Sequence, residues 1–173
     1  VCVQIMGHLS VCHRCAVAVG VDSDILIWGD KPCALNLRGR RLEMWGADHY
    51  KFTTESDPLY KSIPFFLCLN RGTQYGIYFD NTMRSYFDFG HEREDRLLFG
   101  ADGGQMDYYF IAGEDALDTV ASYTRLTGLP PMPPLWALGY HQSKWSYYPE
   151  SVVENLAHQF RKRKIPCDAI HLD

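Results

Sequence analysis

The chain has 173 residues, 46% of them hydrophobic and 22% charged, the make-up of an ordinary globular protein with room for one domain and a fraction. Its net charge of -4 supplies no positive footprint for a polyanion, so nucleic acid is not an expected partner. The longest unbroken apolar stretch, around Ala16 to Val21, falls far short of the roughly 20 residues needed to cross a bilayer, so no membrane span is expected.

The opening stretch carries Cys2, Cys12, Cys15, His8 and His13 without a helical or strand period, and it fits a secretory signal poorly. Residues 1–24 read as an atypical or disordered leader. The start at Val1 and the stop at Asp173, directly after the apolar run Cys167 to Leu172, read as the ends of an internal piece of a longer polypeptide. Cys12-His13-Arg14-Cys15 has the spacing of half a zinc site. The second pair is missing, since Cys33, Cys68 and Cys167 stand alone, so no metal is expected, and a zinc-dependent interaction module is only a third reading. Six scattered cysteines do not fix the redox compartment.

Residues 25–113 show short runs rich in β-branched and aromatic residues, parted by polar or glycine-bearing turns. The expected strands are Ile25 to Trp28, Arg40 to Trp45, Ile63 to Leu69, Gln74 to Phe79, Met83 to Phe89, Arg96 to Phe99 and Met106 to Ile111. Twelve of the chain's 24 aromatic rings fall between Phe65 and Phe110. This pattern predicts a mostly antiparallel β-sandwich.

The period then changes. Glu114 to Thr127 places Leu117, Val120, Ala121 and Thr124 on one helical stripe, with acids in the first turn, Arg125 near the end and Gly128 just beyond. Pro130-Pro131-Met132-Pro133-Pro134 follows, too stiff for a helix and short of donors for a central strand. Residues 114–134 therefore read as a helix and proline-rich linker, with the domain boundary at the prolines. In residues 135–173, Trp136 to His141 reads as a buried strand, Pro149 to Lys164 as a helix with a candidate capping box at Ser151 and Glu154, and Cys167 to Leu172 as a second strand. The basic cluster Arg161 to Lys164 suits a helix C-terminus. Strand, helix and strand form a βαβ unit with parallel strands, and one such unit cannot cover both faces of its sheet, so more of an α/β domain is expected after Asp173.

In α/β sheets and barrels, function collects at the carboxyl ends of the strands. Trp145 and Asp173 stand there, the first after one strand and the second at the end of the other. Parallel neighbours lie roughly 4.8 Å apart, so an indole plane and a carboxylate can line one pocket. The pair suits a sugar, because carboxylates accept from hydroxyls while indole covers the apolar face of the ring. Packing at a strand end for the tryptophan, and plain solvation for the aspartate, are the competing readings. Asp48 in Gly46-Ala47-Asp48-His49 and Asp57-Pro58 both read locally as turns.

At these residues the sequence resembles glycoside hydrolase family 31, the α-glucosidase family. The matching segments are Asp30-Lys31 with Asn36-Leu37-Arg38-Gly39, Met44-Trp45-Gly46-Ala47-Asp48, and Asp57-Pro58-Leu59-Tyr60-Lys61-Ser62-Ile63-Pro64-Phe65-Phe66. They continue with Pro133 to Gln142, Trp145-Ser146-Tyr147, and Ile165 to Asp173. Ser143-Lys144 stands where many members have a cysteine and an arginine, Ile27-Trp28-Gly29 replaces a more glycine-rich stretch, and residues 1–24 fall outside the resemblance.

The resemblance implies a β-sandwich followed by the first βαβ unit of a truncated (β/α)8 barrel. It also implies a retaining glycosidase that removes terminal α-linked glucose without metal or organic cofactor, using two acids from later barrel strands. Neither acid is then expected in this chain, which alone should be inactive. By the same resemblance, Asp173 matches the aspartate that binds the distal hydroxyls of the non-reducing glucose, Trp145 the tryptophan lining that pocket, and Asp48 the acid that the sandwich sends toward the active-site mouth. The implied partner is an α-glucoside or related oligosaccharide; no protein partner is indicated. A non-catalytic carbohydrate-binding sandwich is the alternative.

Overall fold

A computed structural model of the chain describes residues 2–7, 14–18, 23–70 and 72–172. The chain divides into two compact units, Val1–Gly128 and Leu129–Asp173. The first unit holds β1 (Cys2–Gly7), β2 (Arg14–Ala18), β3 (Asp24–Gly29), β4 (Arg41–Met44), β5 (Ser62–Asn70), β6 (Thr73–Phe79), β7 (Ser85–Asp88), β8 (Arg96–Ala101), β9 (Met106–Gly113) and α1 (Ala116–Thr127). Its strands form two antiparallel sheets, ordered β1-β9-β6-β5-β3 and β2-β8-β7-β4 among the described residues.

The sheets close on a core of rings. Phe66 on β5 meets Phe87 of the other sheet at 5.2 Å and Phe89 at 5.3 Å, both edge-on, and Phe79 on β6 meets Phe99 on β8 at 5.4 Å. Edge-to-face pairs of this kind contribute about 0.5–1.5 kcal/mol beyond the area they bury. Ile25, Leu42, Met44, Ile77 and Leu97 complete the same cluster. The expected sandwich is thus observed, with its aromatic run as the material between the sheets.

β5 carries an unbroken apolar run because both of its faces are covered. Phe66 faces the core, while Phe65 faces outward and stacks on Tyr123 of α1 at 4.0 Å. α1 matches its sequence pattern closely: the Asp115 side chain caps it by accepting from the Asp118 amide at 2.8 Å, and Gly128, at φ +97°, ends it by donating to the Thr124 carbonyl at 2.9 Å.

Two stretches of the expected atypical or disordered leader, residues 1–24, are ordered as strands. β1 pairs with β9 from Cys2↔Ile111 to Gly7↔Met106, and β2 pairs with β8 from Arg14↔Gly100 to Ala18↔Arg96. Both are edge strands, and an edge ladder rests on backbone donors and acceptors that leave no mark in side-chain period. Cys12, His8 and His13 of the zinc reading lie outside the described residues, whereas the Cys15 thiol donates to the Tyr108 hydroxyl at 3.8 Å. The strand expected over Met83 to Phe89 is shorter, because the Asn81 side chain accepts from the Met83 amide at 2.8 Å and holds that stretch as a turn.

The second unit contains a short 3-10 turn, Leu135–Leu138, then β10 (His141–Lys144), α2 (Glu150–Lys162) and β11 (Ala169–Leu172). The buried strand expected over Trp136 to His141 is corrected: Ala137 donates to the Pro134 carbonyl at 2.9 Å and Gly139 to that of Trp136 at 3.1 Å, which curls the apolar run before the strand begins. An apolar run alone does not distinguish these outcomes. The capping box is corrected too, since Pro149 occupies the cap of α2 without a side-chain bond and Ser151 lies inside the first turn. β10 and β11 are parallel, in register from His141↔Ala169 to Lys144↔Leu172. Phe160 of α2 packs against Tyr140 at 5.9 Å, and Arg161 reaches across to the Cys167 carbonyl at 3.2 Å. No helix among the described residues is long and apolar enough to cross a membrane.

Candidate functional site

In the first unit, the loop of residues 45–61 between β4 and β5 carries Asp48. Its base is fixed by an ion pair between Lys31 and Asp57, with only 5% and 17% of the side chains exposed. Lys31 also donates to the Glu43 carbonyl, and the second oxygen of Asp57 accepts from the Glu43 amide at 2.6 Å. A carboxylate holding both an ammonium and a strand edge locks the loop to β4. The loop is closed further by Asp30 donating to the Lys61 carbonyl at 3.0 Å, Ala47 to that of Leu59 at 3.0 Å and the Tyr60 hydroxyl to that of His49 at 2.6 Å. Gly29, at φ +103°, is required here, because a Cβ would lie 2.7 Å from the Lys61 carbonyl oxygen. On this frame Asp48 is exposed and makes no hydrogen bond among the described residues.

In the second unit, Trp145 directly follows β10 and is 86% exposed. Its predecessor Lys144 stands opposite Leu172, the residue before Asp173, while Asp173 itself lies outside the described residues. Polar bonds tie the neighbouring side chains. Tyr140 donates through its hydroxyl to Gln142 at 2.6 Å, and the Gln142 amide donates to the Tyr147 hydroxyl at 3.1 Å. The rings of His141 and His171 stack with centroids 5.1 Å apart, their nearest nitrogens 2.9 Å from each other. The other nitrogen of His141 lies 3.2 Å from the Trp136 carbonyl, which can only accept, so a hydrogen bond there is donated by His141. Side chains two apart on a strand share a face, so His141 and Ser143 of β10 lie on one side of the pair with Ala169 and His171 of β11.

A hollow of about 380 Å³ opens in the first unit beside Trp45 and Gly46, at the foot of the Asp48 loop. Tyr78, on its wall, is pushed up to about 12 by burial and then by the adjoining Asp80 carboxylate, to which its hydroxyl donates at 3.2 Å. Sequence reasoning missed the Lys31–Asp57 lock, this hollow and the histidine pair. The lock had a trace in the sequence, since Lys31 and Asp57 stand in two of the segments that carry the resemblance.

A two-sheet antiparallel sandwich running into a parallel strand-helix-strand unit is the architecture of a sandwich domain followed by the start of a (β/α)8 barrel. The comparisons agree. Residues 21–88 match the model of the glycosyl hydrolase 31 N-terminal galactose mutarotase-like domain, and residues 130–173 match that of the glycosyl hydrolases family 31 TIM-barrel domain. The chain belongs to glycosyl hydrolase family 31. It is 45% identical over 147 residues to alpha-glucosidase 2 of Bacillus thermoamyloliquefaciens, covering 84% of this chain and 19% of that protein. It is 30% identical over 159 residues to an alpha-xylosidase of Lactiplantibacillus pentosus, covering 91% and 20%. Among solved structures it superposes on a dextranase of this family from Flavobacterium johnsoniae, complexed with isomaltotriose, with a TM-score of 0.84 and 43% identity, covering 92% of this chain and 19% of the other. The chain thus spans about a fifth of the length of these relatives.

Proposed function

We propose that this chain is the sandwich and first barrel unit of a retaining glycoside hydrolase that removes terminal α-linked glucose from oligosaccharides. Residues 24–113, with β1 and β2 before them, form the sandwich domain, 114–134 its helix and linker, and 135–173 the first βαβ unit of the catalytic barrel. The chain's part in the reaction is to grip the sugar. Asp173 accepts from the distal hydroxyls of the non-reducing glucose, Trp145 covers the apolar face of the ring, and Asp48 reaches the mouth of the site on its locked loop. One acid of the enzyme attacks the anomeric carbon and another protonates the leaving oxygen, with a covalent glycosyl intermediate between the two steps. Both acids come from barrel segments outside these 173 residues, so the chain alone turns over no substrate. The grip still contributes to the rate, because contacts to the hydroxyls tighten as the ring flattens toward the oxocarbenium-like transition state.

The observation that carries this reading is the bare indole of Trp145 at the carboxyl end of a parallel strand, level with the end of its neighbour. The names of the relatives support the choice of an α-linked sugar, and the α-glucosidase match at 45% supports glucose over xylose. In the whole enzyme, Trp145→Ala is expected to lower kcat/KM for a small aryl α-glucoside by about a hundredfold, the scale of loss from a misplaced reactant, with the melting temperature held. Unchanged kcat/KM would refute the role given to the indole.

A further inference from the structure

The segment of residues 145–149, between β10 and α2, carries an indole that no partner ring holds in place. Trp145 is 86% exposed, and its ring meets no other ring among the described residues. Its place is therefore set by the backbone of the segment.

Tyr147 supplies a tie for that backbone. Its hydroxyl accepts from the Gln142 side-chain amide at 3.1 Å, the one side-chain hydrogen bond that reaches residues 145–148 among the described residues. Gln142 and Lys144 stand two apart on β10 and share a face, and Tyr147 turns back to both, its ring centre 5.9 Å from the Lys144 ammonium.

Gln142 is itself fixed. Its side-chain amide has one oxygen that accepts and a nitrogen with two hydrogens to donate. The oxygen accepts from the Tyr140 hydroxyl at 2.6 Å, and the nitrogen donates to the Ser143 carbonyl at 3.0 Å as well as to Tyr147. A flipped amide would set its oxygen against the Ser143 carbonyl, acceptor against acceptor, so the donors stay aimed at Tyr147.

We infer that Gln142 is a positioning residue for the sugar grip: through Tyr147 it holds the segment after β10 in the form that presents the Trp145 indole. The inference rests on the role proposed for Trp145 and adds two residues that act on the sugar only through it. A segment ordered in advance spares binding the cost of ordering it. Loosening it weakens the hold on bound substrate and transition state alike, which raises KM and leaves kcat.

The test is the steady-state kinetics of the whole enzyme on a small aryl α-glucoside. Tyr147→Phe keeps the ring and deletes the tie. It should raise KM about fivefold, the effect of one net hydrogen bond, with kcat and the melting temperature held. Gln142→Met should do the same, and Gln142→Glu should restore KM, because a carboxylate accepts from the Tyr140 and Tyr147 hydroxyls together. In a Trp145→Ala background, Tyr147→Phe should change KM no further, since its effect runs through the indole. The inference is overturned if Tyr147→Phe and Gln142→Met leave KM as it was, or if Gln142→Glu is no better than Gln142→Met. It is overturned too if Tyr147→Phe raises KM as much without the indole as with it. A costly Trp145→Ala beside a silent Tyr147→Phe removes this inference alone, whereas a silent Trp145→Ala removes the proposed grip and this inference with it.

Discussion

Lys31 and Asp57 show how much of a loop's geometry rests on a pair of side chains 26 residues apart. Removing one partner strands a charge that solvent barely reaches, and breaking a buried pair in this way costs about 3 kcal/mol or more. Lys31→Met is therefore expected to lower the unfolding free energy by about 3 kcal/mol in chemical denaturation. A loss below a tenth of that would mean that the pair does not lock the Asp48 loop. Asp57-Pro58 reads in the sequence as a turn, and the carboxylate's partner is invisible to local reading because it comes from another segment. Trp145 and Asp48 stand differently. Trp145 is picked out by its place after a strand, and Asp48 only by resemblance, since nothing in Gly46-Ala47-Asp48-His49 distinguishes a functional acid from a turn.

At the scale of elements, β5 and β6 meet α1 through one compact device. The Phe65 ring lies over Gly76 so closely that a Cβ there would come within 2.5 Å of it, and the far face of the ring stacks on Tyr123. Gly76→Val forces the ring off its seat and loosens α1. The expected cost is about 1–3 kcal/mol, the range for overpacking, with faster amide exchange in Ala116–Thr127 than in the core strands. Uniform exchange across the first unit would contradict the assignment of Gly76 to helix docking. Most elements were legible from period and punctuation: α1 from its stripe and its glycine, the central strands from their aromatic alternation. The misses have physical causes. β1 and β2 are edge strands whose backbone ladders need no side-chain pattern, and residues 135–138 curl because Pro134 and Gly139 frame a turn that hydrophobicity cannot reveal.

At the scale of the molecule, the five-stranded sheet carries a set of half-buried phenols. Burial, followed by Asp80, pushes Tyr78 up to about 12, and burial, followed by Cys15, pushes Tyr108 up to about 12, both from the ordinary 10.0; Tyr75 is raised as well. The folded chain keeps these protons where the unfolded chain has lost them. Their contribution is therefore complete below pH 10 and is lost as the pH rises toward 12. Denaturation across that window should show stability falling with pH, and Tyr78→Phe with Tyr108→Phe should flatten the fall. An equal slope in the double variant would contradict the assignment. The change from strand to helix period along the chain, with prolines between, made the two-part architecture legible. The hollow beside Trp45 was not, because it is formed by residues from Met44 to Ser85 that only the folded sheets bring together.

The claim that this chain grips a sugar with Trp145, Asp173 and Asp48 is tested most directly by a crystal structure of the whole enzyme with an unhydrolysed α-glucoside in its barrel. The account predicts one glucose ring with its apolar face against the Trp145 indole and its distal hydroxyls on the Asp173 carboxylate, with Asp48 at the mouth. A glucose ring bound in the barrel with Trp145 and Asp173 both turned to solvent would contradict it.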